Sequence, residues 1–227
     1  MIVMEDVAKS FTLHNQGGAT IPVLEEASLA VAPGECVALT GPSGAGKSTV
    51  MRLVYGNYLA AAGTIRVGNV EVVDAEPRQI LELRRRTLGY VSQFLRVVPR
   101  VPTLSVVAEP LLALGVEADV AEARARELLT RLRIPETLWP LSPLTFSGGE
   151  QQRVNIARSF AHAYPAMLLD EPTASLDPAN RATVLELIGE AKARGAAILG
   201  IFHDRAAREA VADREVDVSA FAPPRAA

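Results

Sequence analysis

Glu35-Cys36-Val37-Ala38-Leu39-Thr40-Gly41-Pro42-Ser43-Gly44-Ala45-Gly46-Lys47-Ser48-Thr49 is the stretch that decides the fold. A short apolar run of strand length ends in a glycine-rich turn, and a helical pattern follows from Ser48 to Tyr55. Gly41 to Ser48 fits the spacing G-x-x-x-x-G-K-[ST]. The glycines let successive backbone N–H groups point inward as an anion nest. The helix that follows adds its positive N-terminal end. Lys47 supplies a mobile cation for β- and γ-phosphates, and Ser48 a hydroxyl for Mg²⁺. A glycine-rich turn alone is a weak signal. The strand before it and the helix after it make it a phosphate cradle.

Outward from that loop, the N-terminal part reads as strands. Ile2 to Phe11 and Ile21 to Val31 are β-rich and flank the loop His14–Thr20. Gly63 to Val73 reads as a strand pair turning at Gly68-Asn69, and Thr87 to Ser92 as a further strand. From about Leu104 to Tyr164 the pattern becomes helical. In Glu117–Arg133, the apolar Val120, Ala121, Ala125, Leu128, Leu129 and Leu132 share one face. Strand and helix then alternate again: Ala166–Leu169, Pro178–Arg194 closed by Gly195, and Ala197–Phe202. Alternation on both sides of a helical insert predicts an α/β core with an inserted helical lobe.

Met167-Leu168-Leu169-Asp170-Glu171 ends a continuous apolar run in two adjacent carboxylates. Such a run is a strand buried on both faces, and ligands sit at the C-terminal ends of strands in α/β sheets. Asp170 suits the Mg²⁺ shell, and Glu171 suits orienting or deprotonating a water. On their own they would pass for two solvated loop acids before Pro172; beside the phosphate cradle they complete one Mg·ATP site.

Phe146-Ser147-Gly148-Gly149-Glu150-Gln151-Gln152-Arg153 is the most specific string in the chain. Ser147 and Glu150 have capping-box spacing, and Val154, Ala157, Ala161 and Tyr164 form one helical face beyond it. Two glycines in a first helical turn cost about 1 kcal/mol each relative to alanine, so they make sense where another group must approach the backbone.

This string resembles the signature motif of the ATP-binding-cassette (ABC) ATPases. The resemblance spans residues 1–214 and finds the family's other landmarks in order. It implies an α/β fold: a P-loop NTPase core with a mixed β-sheet, an N-terminal antiparallel β-subdomain and the inserted α-helical signature lobe. It implies ATP and Mg²⁺ as cofactors, bound at Gly41, Pro42, Ser43, Gly44, Ala45, Gly46, Lys47, Ser48 and Thr49. Gln93 matches the glutamine that couples metal and attacking water to a partner surface, and stands with Ser48 and Asp170 as a metal-side residue. Glu171 matches the base, and His203 the histidine near the γ-phosphate. Phe11 matches the aromatic that stacks on adenine, and Asp177 the loop Ser175-Leu176-Asp177. Ser147, Gly148, Gly149, Glu150 and Gln151 complete a site on a second ABC subunit, either a second copy or a sister ATPase. Phe146 replaces the leucine common at the start of the signature, an apolar exchange that alters packing only.

Three longer strings, Val91–Pro102, Thr145–Arg158 and Gly195–Asp204, narrow the resemblance to the cassettes of the bacterial carbon–phosphorus lyase system of phosphonate use. That implies soluble lyase subunits as partners. Transport ATPases of lipoprotein release and macrolide export share much of the motif set, and imply membrane permease subunits instead. A nucleotide-gated binding module is the third alternative. The partner surface is expected after Gln93, where apolar Phe94, Leu95, Val97 and Val98 interleave with Arg96 and Arg100.

Composition bounds these readings. The 227 residues suit one domain, 1–218, with a nucleotide core at about 1–93 and 165–218, a lobe at about 94–164 and a flexible tail at 219–227. Net charge is −3 with a pI near 5.7, and three of the 23 basic residues are lysines, so no basic field recruits nucleic acid. Lone Cys36 excludes an intramolecular disulfide framework. No run approaches the ~18 apolar residues of a membrane span. The acidic start lacks a secretory pattern, so a cytoplasmic location is expected. The mean hydropathy of +0.18 predicts apolar surface that belongs to a second subunit. Arg84-Arg85-Arg86 reads as a solvated helix end.

Overall fold

The computed structural model describes residues 1–13 and 18–223. His14 and residues 224–227 of the expected tail lie outside the described residues. Two sheets form the frame. β1 (Ile2–Leu13), β2 (Ala19–Val31), β4 (Ala62–Val67) and β5 (Val70–Glu71) make an antiparallel sheet in the order β2-β1-β4-β5. β3 (Cys36–Thr40), β6 (Leu88–Val91), β7 (Ala166–Asp170), β8 (Ala197–Ile201) and β9 (Arg214–Asp217) make a five-stranded sheet in the order β6-β7-β8-β3-β9. Every pairing in the second sheet is parallel. The separate antiparallel sheet is as expected, whereas the core sheet, expected to be mixed, is parallel throughout.

Strand periodicity explains how the parallel sheet is covered. Cys36, Ala38, Met167, Leu169 and Ile198 face one apolar cluster, shared with α3 (Thr103–Leu112), α4 (Ala118–Arg131), α5 (Gly148–Ser159) and α6 (Pro178–Ala193). Val37, Leu39, Leu168 and Leu199 face the other, filled by β1, β2, β4, α1 (Lys47–Val54) and α2 (Pro77–Arg86). α7 (Arg205–Val211) leads into β9.

The helices of the lobe, α3 to α5, pack on one another and on the sheet through the same cluster. Arg131 of α4 pairs with Glu190 of α6, Nη2 to Oε1 at 2.6 Å and Nη1 to Oε2 at 3.1 Å. The bidentate geometry adds an orientation constraint between lobe and core to the apolar contact.

Four details differ from the sequence reading. Val120 is 55% exposed and does not share the buried face of Ala121, Ala125, Leu128, Leu129 and Leu132, because α4 begins at Ala118 and places Val120 on its outer side. α5 ends at Ser159, so Tyr164 is not on its face but in the connection to β7. Arg84 is not a solvated end: its guanidinium donates twice to the Tyr55 carbonyl and lies 4.2 Å from the Tyr55 ring centroid. The segment set apart as tail begins inside a turn of 3₁₀ helix, Val218–Phe221, and Phe221 packs against the core.

Candidate functional site

The phosphate loop is shaped by backbone that only glycine adopts readily. Gly46 has φ of +102° and caps α1, and Gly41 has φ of +122°. A Cβ on Gly46 would stand 3.1 Å from Leu24 Cδ2 and 3.3 Å from Val23 Cγ1, so side-chain space is closed as well. Lys47 Nζ donates to the carbonyls of Gly41 at 2.7 Å and Pro42 at 2.9 Å, tying the ammonium to the loop. Ser48 and Thr49 follow in the first turn of α1, and Pro42, Ser43 and Gly44 are exposed.

Asp170 closes β7 and Glu171 follows it with a left-handed φ of +55°. A non-glycine residue held there, before Pro172, stores on the order of 1–3 kcal/mol of strain, as functional sites often do. Burial pushes the Asp170 carboxyl above its ordinary range, against the lowering effect of a hydrogen bond from the Tyr90 hydroxyl at 3.1 Å. His203, two residues beyond the end of β8, pairs through Nε2 with Glu171 Oε1 at 2.7 Å. Residues that follow two adjacent parallel strands thus meet at the C-terminal edge of the sheet, where β7 and β8 pair.

Gln93 is exposed just after β6 and lines a cleft of about 920 Å³ between core and lobe. Asp170, Tyr90, Arg84, Arg96 and Phe94 line it too. Of the segment expected to meet a partner, Phe94 and Val98 are each 70% exposed, whereas Leu95 is buried and Val97 packs on the core.

The signature turn stands as a capped helix start. Ser147 Oγ accepts from the Glu150 amide at 3.4 Å, and Glu150 Oε2 accepts from the Ser147 amide at 2.9 Å. The Ser147 hydroxyl lies 2.6 Å from Glu150 Oε2, and its hydrogen bond, followed by that of the Ser147 amide, holds the Glu150 carboxyl below its ordinary range. Gln151 donates its side-chain amide to the Phe146 carbonyl at 2.9 Å. A Cβ on Gly148 would meet nothing within 4 Å, and one on Gly149 only the Ser175 carbonyl at 3.7 Å. The backbone of this turn is thus open to a group from outside.

Asp177 caps α6, accepting from the Asn180 amide at 2.8 Å, with Pro178 at the first helical position. Ser175, in the same loop, has φ of +60°. Phe11 is half-buried on β1, with its ring edge-on to Tyr58 at 5.2 Å and Lys9 Nζ 5.0 Å from its centroid.

The candidate metal donors are hard oxygens: the Ser48 hydroxyl, the Asp170 carboxylate and the Gln93 amide. That set suits Mg²⁺. Among the described residues no three His, Cys, Asp or Glu side chains cluster as a self-contained cage. These few oxygen donors fit an ion of the kind that takes part of its shell from phosphates.

Two contributions escaped the sequence reading. Tyr90 was legible only as strand, although a phenol in a buried run needs a hydrogen-bond partner and so could have been flagged. Asp217 of β9 lies beside the phosphate loop, since a Cβ on Gly41 would come within 3.0 Å of its Oδ1.

The comparisons with known proteins agree with this geometry. The family model described as ABC transporter matches residues 24–174. The chain is 43% identical over 185 residues to the lipoprotein-releasing system ATP-binding protein LolD of Maricaulis maris, covering 81% of this chain and 80% of that protein. It is 34% identical over 204 residues to the macrolide export ATP-binding/permease protein MacB of Marinobacter nauticus, covering 90% of this chain and 31% of that protein. Its fold superposes with a TM-score of 0.87 and 26% identity on a dimeric, post-hydrolysis structure of the ATP-binding cassette MJ0796 bound to ADP and Pi, covering 96% of this chain. These relatives favour a transport role over the phosphonate role that the longer strings suggested. With the phosphate loop, the paired carboxylates and the signature turn in one cassette fold, the chain belongs to the ABC transporter family of ATP-hydrolysing P-loop ATPases, which bind ATP with Mg²⁺.

Proposed function

We propose that this chain energises a membrane permease, hydrolysing ATP in composite sites made with a second ABC subunit. The single observation that carries this is the 43% identity with a lipoprotein-releasing ATP-binding protein across four fifths of both chains. The MacB relative, whose name joins ATP-binding with permease, supports it further. No helix of the described residues is long and apolar enough to cross a membrane.

In the proposed chemistry, Phe11 stacks the base and the loop from Gly41 to Thr49 holds the phosphates. Ser48, Asp170 and Gln93 form the metal side. When bound with ATP, Mg²⁺ neutralises charge on the β- and γ-phosphates. Glu171 orients and deprotonates the attacking water, and His203 holds Glu171 and faces the γ-phosphate. Positioning and fixed charge supply most of the rate enhancement. The open turn Ser147–Gln151 reaches a neighbour's ATP, with Asp177 beside it. The cleft at Gln93 receives the permease: it pairs exposed Phe94 with a basic rim of Arg84, Arg85 and Arg96.

The carbon–phosphorus lyase reading stays the rival because of its three matching strings, and one purification separates them. Affinity capture of the full chain from its native cells should bring down a second ABC subunit and hydrophobic permease chains. Capture of soluble lyase subunits in place of permease chains would overturn the transport reading.

A further inference from the structure

Tyr90 lines the partner cleft and bonds to the metal-side carboxylate. Its hydroxyl donates to Asp170 Oδ2 at 3.1 Å, and both residues line the cleft. We propose that Tyr90 is a positioning residue for Asp170, setting the aim of that carboxylate from the floor of the cleft.

The phenol is well placed for this. Its ring packs on Tyr55, the C-cap of α1, with centroids 4.8 Å apart and planes tilted by 50°. Tyr55 is itself pinned, because Arg84 donates to its carbonyl at 2.8 and 3.0 Å. β6 and β7 are parallel neighbours, with Val91 opposite Leu169, so the Tyr90 side chain lies one strand away from Asp170 on the same edge. A carboxylate has two oxygens. With one engaged by the phenol, rotation about its last bond is restrained, and the other oxygen is left for the metal side.

The main chain of Tyr90 is tied in turn to the signature helix. Asn155 Nδ2 donates to the Ser92 carbonyl at 2.6 Å, and Ser159 Oγ shares its one proton between the Asn155 carbonyl at 2.8 Å and the Tyr90 carbonyl at 3.1 Å. Asn155 and Ser159 stand one helical turn apart on α5, whose first turn is the signature itself. A shift of α5, or an occupant pressing on the cleft floor, moves Tyr90 and with it the hydrogen bond to Asp170. This route is separate from Gln93, which follows β6 in the chain and needs no contact with the phenol.

The inference rests on the reading of Asp170 as the metal-side carboxylate, and the test separates the two. Tyr90→Phe keeps the ring on Tyr55 and removes only the hydroxyl. In the full chain with ATP, Mn²⁺ binding is read by electron paramagnetic resonance. Metal-free ATP affinity is read with a fluorescent nucleotide. The Mn²⁺ concentration at half-saturation should rise about 10-fold, as for other outer-shell partners of metal ligands. Metal-free ATP affinity should stay within about twofold, since the phenol touches no part of the phosphate loop. Unchanged Mn²⁺ binding overturns the proposal, and so does an equal loss of metal-free ATP affinity, which would mark a general packing role. Asp170→Asn runs in parallel. If it weakens Mn²⁺ binding while Tyr90→Phe does not, Tyr90 alone is excluded. If Asp170→Asn also leaves Mn²⁺ binding intact, the carboxylate reading fails and takes Tyr90 with it.

Discussion

His203 Nε2 sits 2.7 Å from Glu171 Oε1, although the two residues follow different strands of the parallel sheet, β8 and β7, and stand 32 positions apart. The imidazole is 72% exposed while the carboxylate is largely covered, so the histidine holds the acid from the open side. In the proposed roles the pair acts as one unit. Glu171→Gln should keep ATP binding and lower turnover by about 10²–10⁴-fold in the competent assembly. His203→Ala should also lower turnover, and the double variant should be no slower than Glu171→Gln alone. Steady-state hydrolysis on the three variants checks this; a multiplicative double loss would mean that the residues act separately.

Gly46→Ala should damage nucleotide binding through backbone strain rather than through lost chemistry. The position holds φ of +102°, and an added Cβ would press on Leu24 and Val23 of β2. The cost is about 1–3 kcal/mol, shared between folding and loop shape. A thermal melt and an ATP titration should both register the change. An unaltered melt with unaltered affinity would show that the loop relaxes freely.

Charge reversal at the cleft rim should separate partner binding from nucleotide binding. Arg96 is exposed, and no ion pair involves it among the described residues. Arg96→Glu should weaken capture of the partner complex about tenfold at low salt and leave ATP affinity of the isolated chain unchanged. Arg84→Ala should behave differently, lowering stability, because its guanidinium holds the Tyr55 carbonyl and covers the Tyr55 ring. Loss of ATP affinity in Arg96→Glu would place that arginine outside the docking surface.

Asp213 should make stability depend on acid. Its carboxylate accepts from the Cys36 amide and from Lys192 Nζ, each at 2.8 Å, and these bonds hold it below the ordinary aspartate range. A depressed carboxyl stabilises the fold above its unfolded value of about 3.9, and that contribution fades as pH falls through the folded value. The side chain is 47% exposed, so solvent screening limits the effect to about 1 kcal/mol. Denaturant melts of Asp213→Asn should show that deficit at pH 7 and converge with the parent chain only as pH falls from about 4 through the depressed folded value. A constant gap across that window would mean that the deficit does not come from ionisation of the carboxylate.

The motifs were legible because each packs its chemistry into a few contiguous residues. Gly41–Thr49 carries its own turn, donors and helix start, and Asp170-Glu171 sits at the end of a run that announces a buried strand. β9 was not legible: Arg214–Asp217 is a largely exposed edge strand with alternating charge and no apolar run to mark it. That every pairing of the core sheet is parallel was hidden for a related reason. Strand type depends on which distant segment pairs with it, as β3 does with β8 some 160 residues on. Tyr90 and Asp170, 80 positions apart, meet only through that pairing scheme. Arg84 looked solvated because three consecutive arginines look alike in a string, while on a helix they point in three directions and one of them finds Tyr55.

Cys36 lies fully buried in β3, its thiol pushed up to about 12 by burial. At neutral pH it is therefore a protonated sulfur that maleimides and nitroxide reagents do not reach. The chain is a natural blank for thiol labelling. A single cysteine placed on the cleft rim at Phe94, or at Gly148 in the signature turn, carries a probe with no background to subtract. Distances between such probes would follow the two halves of a composite site as nucleotide comes and goes.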